Sequence, residues 1–384
     1  MKNLMRPEMA RIVLTVVVCA ELSRSAAAQL PVDSLRLAVG FGVEATASPE
    51  REILALWKHY LTEPSDSVRA TLWSTQERSA GPRFDLVRPY VYQGFRHFTV
   101  VHLGPAAGLP HTYVIRTLVT EVDSSQDVRP LALYRVYATL EDGRWALANA
   151  LPRTTHDWRR ITLGNVTFVY PPTHPFDRTL GRATAAFVDS LARAFDLPKP
   201  APITYYFTDD LGETLRALGL EFFPYGGDPV GGRSNVYQRH AYVGSSVNGE
   251  GYRHELAHIV LAPLVPRGAS GLVVEGLMTW TGGSAGLEYV DLLPGLAKYL
   301  SNHPELTLEG LLENPPPRVG SLDVGYDGLA ALCKMVFGHT GLAGLRALLS
   351  AGSDPSRVVS VAAKTLGVSS AELNTMLRKE CGVR

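Results

Sequence analysis

The stretch RHELAHIV, residues 253–260, decides how this chain is interpreted. It is apolar apart from a few ionisable side chains, and the prolines at 263 and 266 end the helix that it predicts. His254 and His258 are four residues apart, so their side chains lie on the same face of that helix. Zn²⁺ accepts neutral imidazole nitrogens, and such a pair supplies two ligands without distorting the backbone. The spacing therefore predicts a zinc site.

Glu255 follows the first histidine directly, which completes a His-Glu-x-x-His pattern. In this position a carboxylate can reach a water on the metal without being a ligand itself. The neighbouring residues are apolar, so the helix is predicted to be buried. Burying two imidazoles and a carboxylate without partners is costly, and a metal ion removes that cost. The alternative is a pair of core histidines bonded to backbone carbonyls, with Glu255 paired to Arg253.

A third ligand is predicted in SGLVVEGLMTWTGG, residues 270–283. This stretch reads as a short helix that Ser270 caps and that ends at Gly282 and Gly283. Glu275 lies in its apolar middle, and sixteen residues separate it from His258. That interval lets the first helix end, a loop turn, and the second helix return antiparallel to the first. His254, His258 and Glu275 would hold one zinc ion per chain, with a fourth position open to water.

Three motifs together resemble the gluzincin branch of zinc metallopeptidases, which has a thermolysin-like, peptidase-MA-like fold. They are HELAH at 254–258, VEGLM at 274–278, and GYDGLAALCKMVFGHTGLAGLRALL at 325–349, and the resemblance covers about residues 160–384. It implies a catalytic domain with a mixed sheet, an active-site helix and a helical C-terminal part. It also implies peptide-bond hydrolysis by metal-activated water, with Glu255 as the general base.

The resemblance further assigns Tyr326, which matches the family's tyrosine ahead of the third motif, as a donor to the oxyanion of the reaction. The alternative is an ordinary packing tyrosine. His240 and Arg239, on a predicted edge strand, are weaker candidates for the same role. An edge strand beside the cleft could also bind a peptide by strand addition.

Two departures from the family affect specificity. The interval between the second histidine and the glutamate is shorter than in the aminopeptidase N and thermolysin types. The exopeptidase signature Gly-x-Met-Glu-Asn is absent, and the upstream strand reads Gly-Arg-Ser-Asn at 232–235. An endopeptidase, or a peptidase of undefined specificity, is therefore expected rather than an aminopeptidase of that type.

Residues 31 to about 155 differ from the rest of the chain in their predicted secondary structure. One amphipathic helix is predicted at 50–62, and Asp142 with Gly143 predicts a hairpin turn. The predicted strands lie at 90–103, 113–122, 131–140 and 145–151. One helix with a curved antiparallel sheet is similar in architecture to the cone-shaped nuclear-transport-factor-2-like or cystatin-like domains. Such a domain could bind a small ligand, or it could serve as a packing or substrate-orienting accessory.

Strands and helices alternate from about residue 160 and give way to helices after residue 251. The alternating elements are predicted at 166–170, 176–195, 203–207 and 211–218, with a strand or hairpin at 234–243. Further along, Gly338 is expected to end one helix and Asp354-Pro355 to begin another, and Ser369 with Glu372 to form a capping box. The predicted class is α+β, with a signal peptide at 1–28, an accessory domain at 29–158 and the metallopeptidase domain at 159–384.

The N-terminus predicts export. Basic residues precede a short apolar run at 12–20, and small residues at 25–28 suggest a signal peptide cleaved near Ala28. The run is shorter than the roughly 20 residues of a membrane-spanning helix, so no stable membrane insertion is expected. Lipid attachment at Cys19 is the alternative. The protein is expected to be secreted or periplasmic.

The amino-acid composition limits the kinds of binding partner that are expected. The chain of 384 residues has 37 basic and 37 acidic residues, so no broad field attracts nucleic acid. A peptide or protein substrate is expected, and the oligomeric state is left open. Cys333 and Cys381 could form a disulfide or could both be buried thiols. The leading function is an exported zinc metallopeptidase. The rivals are a catalytically inactive zincin-fold scaffold and metal-independent packing of the histidines.

Overall fold

The computed structural model describes residues 36–88, 97–122, 126–223, 230–247 and 249–383. The predicted signal peptide at 1–28 and Cys19 lie outside these ranges. The described residues mix helices with two sheets, which confirms the α+β class. Contacts divide them into two compact units, one that runs to Val260 and one that begins at Leu261. The predicted domain boundary at 158/159 stays a prediction.

Four strands of the first sheet follow the first helix, as predicted, and one strand that was not predicted, β1, precedes it. Its strands have the order β1-β2-β3-β4-β5, with β1 parallel to β2 and the other pairs antiparallel. They are β1 (Arg36–Val39), β2 (His97–Pro105), β3 (Thr112–Val122), β4 (Val128–Glu141) and β5 (Arg144–Ala148). Asp142 and Gly143 have φ values of 49° and 75°, which confirms the predicted hairpin turn. The predicted last strand ends early, at Ala148, because a short helix, α4 (Leu151–Thr154), follows.

Between β1 and β2, the described residues form α1 (Glu50–Thr62), α2 (Asp66–Thr71) and α3 (Thr75–Ser79). The bounds of α1 are those predicted. Its apolar face contributes Ile53, Trp57 and Tyr60 to a core shared with the sheet. The buried Trp57 indole donates to the Thr117 hydroxyl at 2.9 Å, so its polar atom is satisfied.

The second sheet is mixed, as the resemblance implies. Its order is β10-β11-β8-β7-β6, in which β7, β8 and β11 run parallel and the two outer strands antiparallel. The strands are β6 (Arg159–Leu163), β7 (Val166–Tyr170), β8 (Ile203–Thr208), β10 (Val230–Asn235) and β11 (His240–Ser245). Helix α5 (Arg178–Ala194) connects β7 to β8, and α6 (Leu211–Ala217) follows β8. The Asp210 side chain caps α6 by accepting from Glu213 N–H, as the sequence predicts.

A short strand, β9 (Leu220–Phe222), leaves α6 and pairs antiparallel with β4 of the first sheet. At Gly219, φ is +94° and a Cβ would lie 2.5 Å from the Arg135 carbonyl oxygen, so only glycine fits. Glu221 then pairs with Arg116 at 2.9 Å and with Arg135 at 3.4 Å. The segment that follows the second sheet through α6 is therefore held to the first sheet by backbone pairing within this unit.

The second unit is helical. Its helices are α8 (Gly271–Gly282), α9 (Tyr289–Asn302), α10 (Leu308–Glu313), α11 (Val324–Leu349), α12 (Pro355–Leu366) and α13 (Ser370–Glu380). The caps predicted at Asp354 and at Ser369 with Glu372 are confirmed. The predicted end at Gly338 is wrong, because the backbone stays helical there and breaks at Gly341 (φ 63°, ψ −151°). Helix α11 is long and apolar enough to cross a membrane, but half of its most apolar window is buried inside the unit, as in a core helix.

Three buried groups in this unit bear on stability. Cys333 and Cys381 are free, buried thiols, and burial raises the pKa of each to about 12. The carboxyl of Asp327, in the first turn of α11, is fully buried, and neither oxygen has a hydrogen-bond partner among the described residues. Burial, with the charge of Asp323 adding to it, raises the pKa of Asp327 to about 8. This side chain is therefore a neutral acid at pH 7.

Candidate metal centre

The helix that carries the two histidines, α7, spans His254–Leu261 and follows a 3₁₀ turn at Gly249–Gly251. The sequence predicts helical character from Gly251, and α7 begins three residues later because the 3₁₀ turn ends at Gly251. The Tyr205 hydroxyl lies 2.8 Å from the Gly249 carbonyl oxygen and 3.1 Å from that of Tyr252, so it can donate to either. A neighbouring β-strand thus fixes the backbone that leads into α7.

The structure brings the three predicted ligands together. Each of His254, His258 and Glu275 offers one ligand atom, and these atoms all lie within 4.8 Å of one another. The two imidazole rings are 5.1 Å apart between centroids. All three side chains are buried, at 5%, 8% and 2% exposure respectively. Among the residues that the structure describes, no other group of three or more His, Cys, Asp or Glu converges in this way.

The donor set fits zinc. Two imidazole nitrogens and one carboxylate oxygen form one of the ligand sets that hold catalytic zinc, and they leave a fourth tetrahedral position for water or substrate. Buried carboxylates need a compensating positive charge, which a divalent cation at the meeting point of these atoms provides. His254, His258 and Glu275 are therefore the residues that would hold the ion.

Glu255 lies against the edge of the second sheet. It is 3% exposed, and a Cβ placed on Gly232 would come within 2.7 Å of its Cγ and 3.0 Å of its Oε1. Gly232 is on β10, the strand at one end of the sheet order. The glycine thus leaves room for the Glu255 side chain. Sequence reasoning missed this contact, although a glycine inside a predicted edge strand is a signal of close approach.

The residue after the third ligand, Gly276, sets where α8 packs. A Cβ there would lie 2.4 Å from Leu329 Cβ, 2.5 Å from Leu329 C and 2.9 Å from Ala330 N, so α8 and α11 approach backbone to backbone. No other residue type permits that separation. Gly283, with φ of 79°, ends α8 as predicted, whereas Ser270 occupies the N-cap position but its side chain makes no capping hydrogen bond. The Glu-Gly pair therefore combines a ligand with a packing requirement.

Tyr326 lies half-buried in the first turn of α11, where its N–H donates to Asp323 Oδ1 at 3.0 Å. Burial raises the pKa of Asp323, and the Glu275 carboxylate adds to the rise. The start of α11 therefore lies close to the third ligand, Glu275. The role of the Tyr326 hydroxyl as a donor stays a prediction.

The weaker candidates are engaged in the β10–β11 hairpin. His240 Nδ1 lies 3.1 Å from the Tyr242 hydroxyl, and burial, aided by the Arg239 charge, lowers the pKa of His240 to about 4. Arg239 Nε donates to the Pro202 carbonyl at 3.0 Å. His240 and Arg239 thus each make a contact within the fold. A role in the reaction stays a prediction for both residues.

Comparisons with known proteins give little beyond this geometry. No protein-family model matches the chain, and no curated protein matches it. Among solved structures, a mutant of an M1 zinc metallopeptidase from Deinococcus radiodurans is similar at 12% identity and a TM-score of 0.30. The match covers 74% of this chain and 63% of that one. The candidate centre therefore stands on its own residues.

Proposed function

We propose that the protein is a zinc-dependent peptidase of gluzincin type whose metal is held by His254, His258 and Glu275. The observation that carries the proposal is the convergence of these three buried ligand atoms within 4.8 Å, two of them on a helix that also bears Glu255. Three such side chains are costly to bury together unless an ion compensates them. Their types and number are those of a hydrolytic zinc centre rather than a closed structural one.

When bound, zinc supplies Lewis acidity that polarises a carbonyl and lowers the pKa of a coordinated water towards about 7. Glu255 acts as the general base that takes the proton from the attacking water and later gives it to the leaving amine. The contact with Gly232 restricts where the Glu255 carboxylate can lie. Tyr326 is the proposed hydrogen-bond donor to the oxyanion.

The edge strand β10 offers a way to bind an extended substrate. It lies at the end of the sheet order and runs past Glu255 at Gly232. A peptide that adds to this edge would place a backbone amide beside the proposed base, with main-chain hydrogen bonds supplying affinity. This mode depends little on the ends of the peptide, which agrees with the proposed endopeptidase activity. Export by a signal peptide at 1–28 belongs to the same proposal.

The test is a Glu255→Gln variant beside the wild type. Both are expected to contain one zinc per chain by elemental analysis, because Glu255 is not a ligand. Hydrolysis of a quenched fluorescent peptide library is expected in the wild type and should fall by about 100-fold or more in the variant, since general-base catalysis contributes 10²–10⁴-fold.

Three outcomes would contradict the proposal. Hydrolysis that survives Glu255→Gln rules out this carboxylate as the base. Zinc binding without any hydrolysis by the wild type favours a zincin-fold scaffold instead. A wild type that contains no zinc favours plain packing of the two histidines.

A further inference from the structure

His174 lies between two carboxylates, one of which belongs to the turn that precedes α7. Its Nδ1 is 2.7 Å from Asp209 Oδ1, and its Nε2 is 3.0 Å from Glu250 Oε1. Glu250 belongs to the 3₁₀ turn that precedes α7 and is only 3% exposed. The same Glu250 oxygen accepts a hydrogen bond from the Asp177 N–H at 2.8 Å. The sequence alone gave His174 no partner, because these carboxylates are 35 and 76 residues away.

The hydrogen-bond chemistry of this arrangement defines the form of the ring. A neutral imidazole has one N–H and one lone pair, so it can donate to one carboxylate only and would turn its lone pair towards the other. Both contacts are favourable only when both nitrogens carry a proton. The geometry is therefore that of an imidazolium that makes two charge-assisted hydrogen bonds.

The surroundings of His174 hold the ring in place. Its side chain is 11% exposed, and it packs edge-on against Phe207 and Tyr170, at 4.9 and 5.9 Å between ring centroids. The other titratable groups that face it are already engaged. The Asp177 carboxylate caps α5, and the Tyr205 hydroxyl is bonded to carbonyls on either side of the 3₁₀ turn. His174 thus links the segment after β7, the segment after β8 and the turn before α7.

We propose that His174 is a positioning residue that, through its contacts with Asp209 and Glu250, holds the turn before α7 and thereby sets where α7 presents its two histidines. The effect of His174 on the backbone does not depend on the proposed function. Its effect on zinc binding rests on the proposed function.

The first experiment needs no metal. Amide hydrogen exchange is measured by mass spectrometry on the metal-free full chain, for the wild type and for His174→Gln. Peptides that cover residues 247–260 should exchange about tenfold faster in the variant, while those that cover α12 and α13 should be unchanged. His59→Gln is the matched control, because His59 also contacts a carboxylate, that of Glu63, but its side chain is 52% exposed. Unchanged exchange at 247–260, or a uniform increase over the whole chain, overturns the proposal.

The second experiment measures zinc affinity by chelator competition at pH 7. Partners behind metal ligands typically affect affinity by 10–100-fold, so His174→Gln should bind zinc at least tenfold more weakly than the wild type. The control His59→Gln should bind zinc as tightly as the wild type. Equal affinities of the wild type and His174→Gln, or an equal loss of affinity in His59→Gln, overturn the proposal.

Two further variants complete the design. If His174→Gln fails to fold, Asp209→Asn removes one of the two contacts at a carboxylate that is 65% exposed, and it should give a smaller effect of the same sign. The double variant with Glu250→Gln should be no worse than His174→Gln alone, because the two residues act through one contact. A wild type that binds no zinc but shows the expected exchange pattern refutes the proposed function and leaves the role of His174 in place.

Discussion

Gly232→Ala should impair the proposed hydrolysis by displacing Glu255. A Cβ at this site would lie 2.7 Å from Glu255 Cγ and 2.9 Å from the Tyr242 carbonyl oxygen. Carbon atoms in contact are normally about 3.5 Å apart, so the Glu255 side chain must move by roughly 0.8 Å. Misplacing a catalytic group by about 1 Å costs about 100-fold in rate, equivalent to about 2.7 kcal/mol. We therefore expect kcat/KM to fall by about two orders of magnitude.

The neighbouring glycine provides the control. A Cβ at Gly231 would meet only the end of the Leu211 side chain, at 2.8 Å from its Cδ2, and that flexible end can turn away. Gly231→Ala should therefore keep nearly full activity. The assay is kcat/KM on a quenched fluorescent peptide, at a temperature well below unfolding, together with zinc content by mass spectrometry. Zinc content should stay at the wild-type level in both variants. Activity of Gly232→Ala within threefold of the wild type, or equal losses in both variants, would refute the reasoning.

Three further predictions concern stability. Gly276→Ala should lower the free energy of unfolding by about 1–3 kcal/mol, because the new methyl group would meet backbone atoms of α11. Gly338→Ala should instead raise the free energy of unfolding by about 0.5–1 kcal/mol, because a Cβ there would have no neighbouring atom within 4 Å. Urea titrations measure both changes. The pKa of Asp327 is raised in the fold to about 8, so its contribution to stability is lost as pH rises from about 4 to about 8. Asp327→Asn should therefore be more stable relative to the wild type at pH 8 than at pH 5, and a constant difference in urea titrations would contradict this. In calorimetry, chelation should lower the Tm of the zinc-loaded wild type, since zinc at a thousand times its Kd stabilises the fold by about 4 kcal/mol. Chelation should leave the Tm of Glu275→Ala unchanged.

Features that depend on neighbouring residues were predictable from the sequence. Helix α1, the Asp142-Gly143 turn and the capping box at Ser369 lie where they were predicted, because propensity and capping act over a few residues. The position of His254 and His258 on one helix face was predictable from helical geometry alone, because the two residues are four apart. Glu275 was predictable because an isolated carboxylate in an apolar helix needs a charged partner.

Features that depend on distant parts of the chain were not predictable. The approach of β10 to Glu255 and the contacts of His174 join residues that are far apart in sequence. The break at Gly341 instead of Gly338 has the same cause, since either glycine can leave the helical region and the choice depends on tertiary packing. A single sequence does not contain the register between elements that such contacts require.

The pairing of β9 with β4 limits how this protein can be dissected. After α6 the chain returns to the first sheet, where Glu221 forms ion pairs with two arginines of that sheet. Deleting residues 36–148 would remove the partner strand of β9 and leave the Glu221 carboxylate without these two cations. The N-terminal half is thus not an interchangeable module, and a shortened form of this protein would be expected to aggregate through the exposed strand.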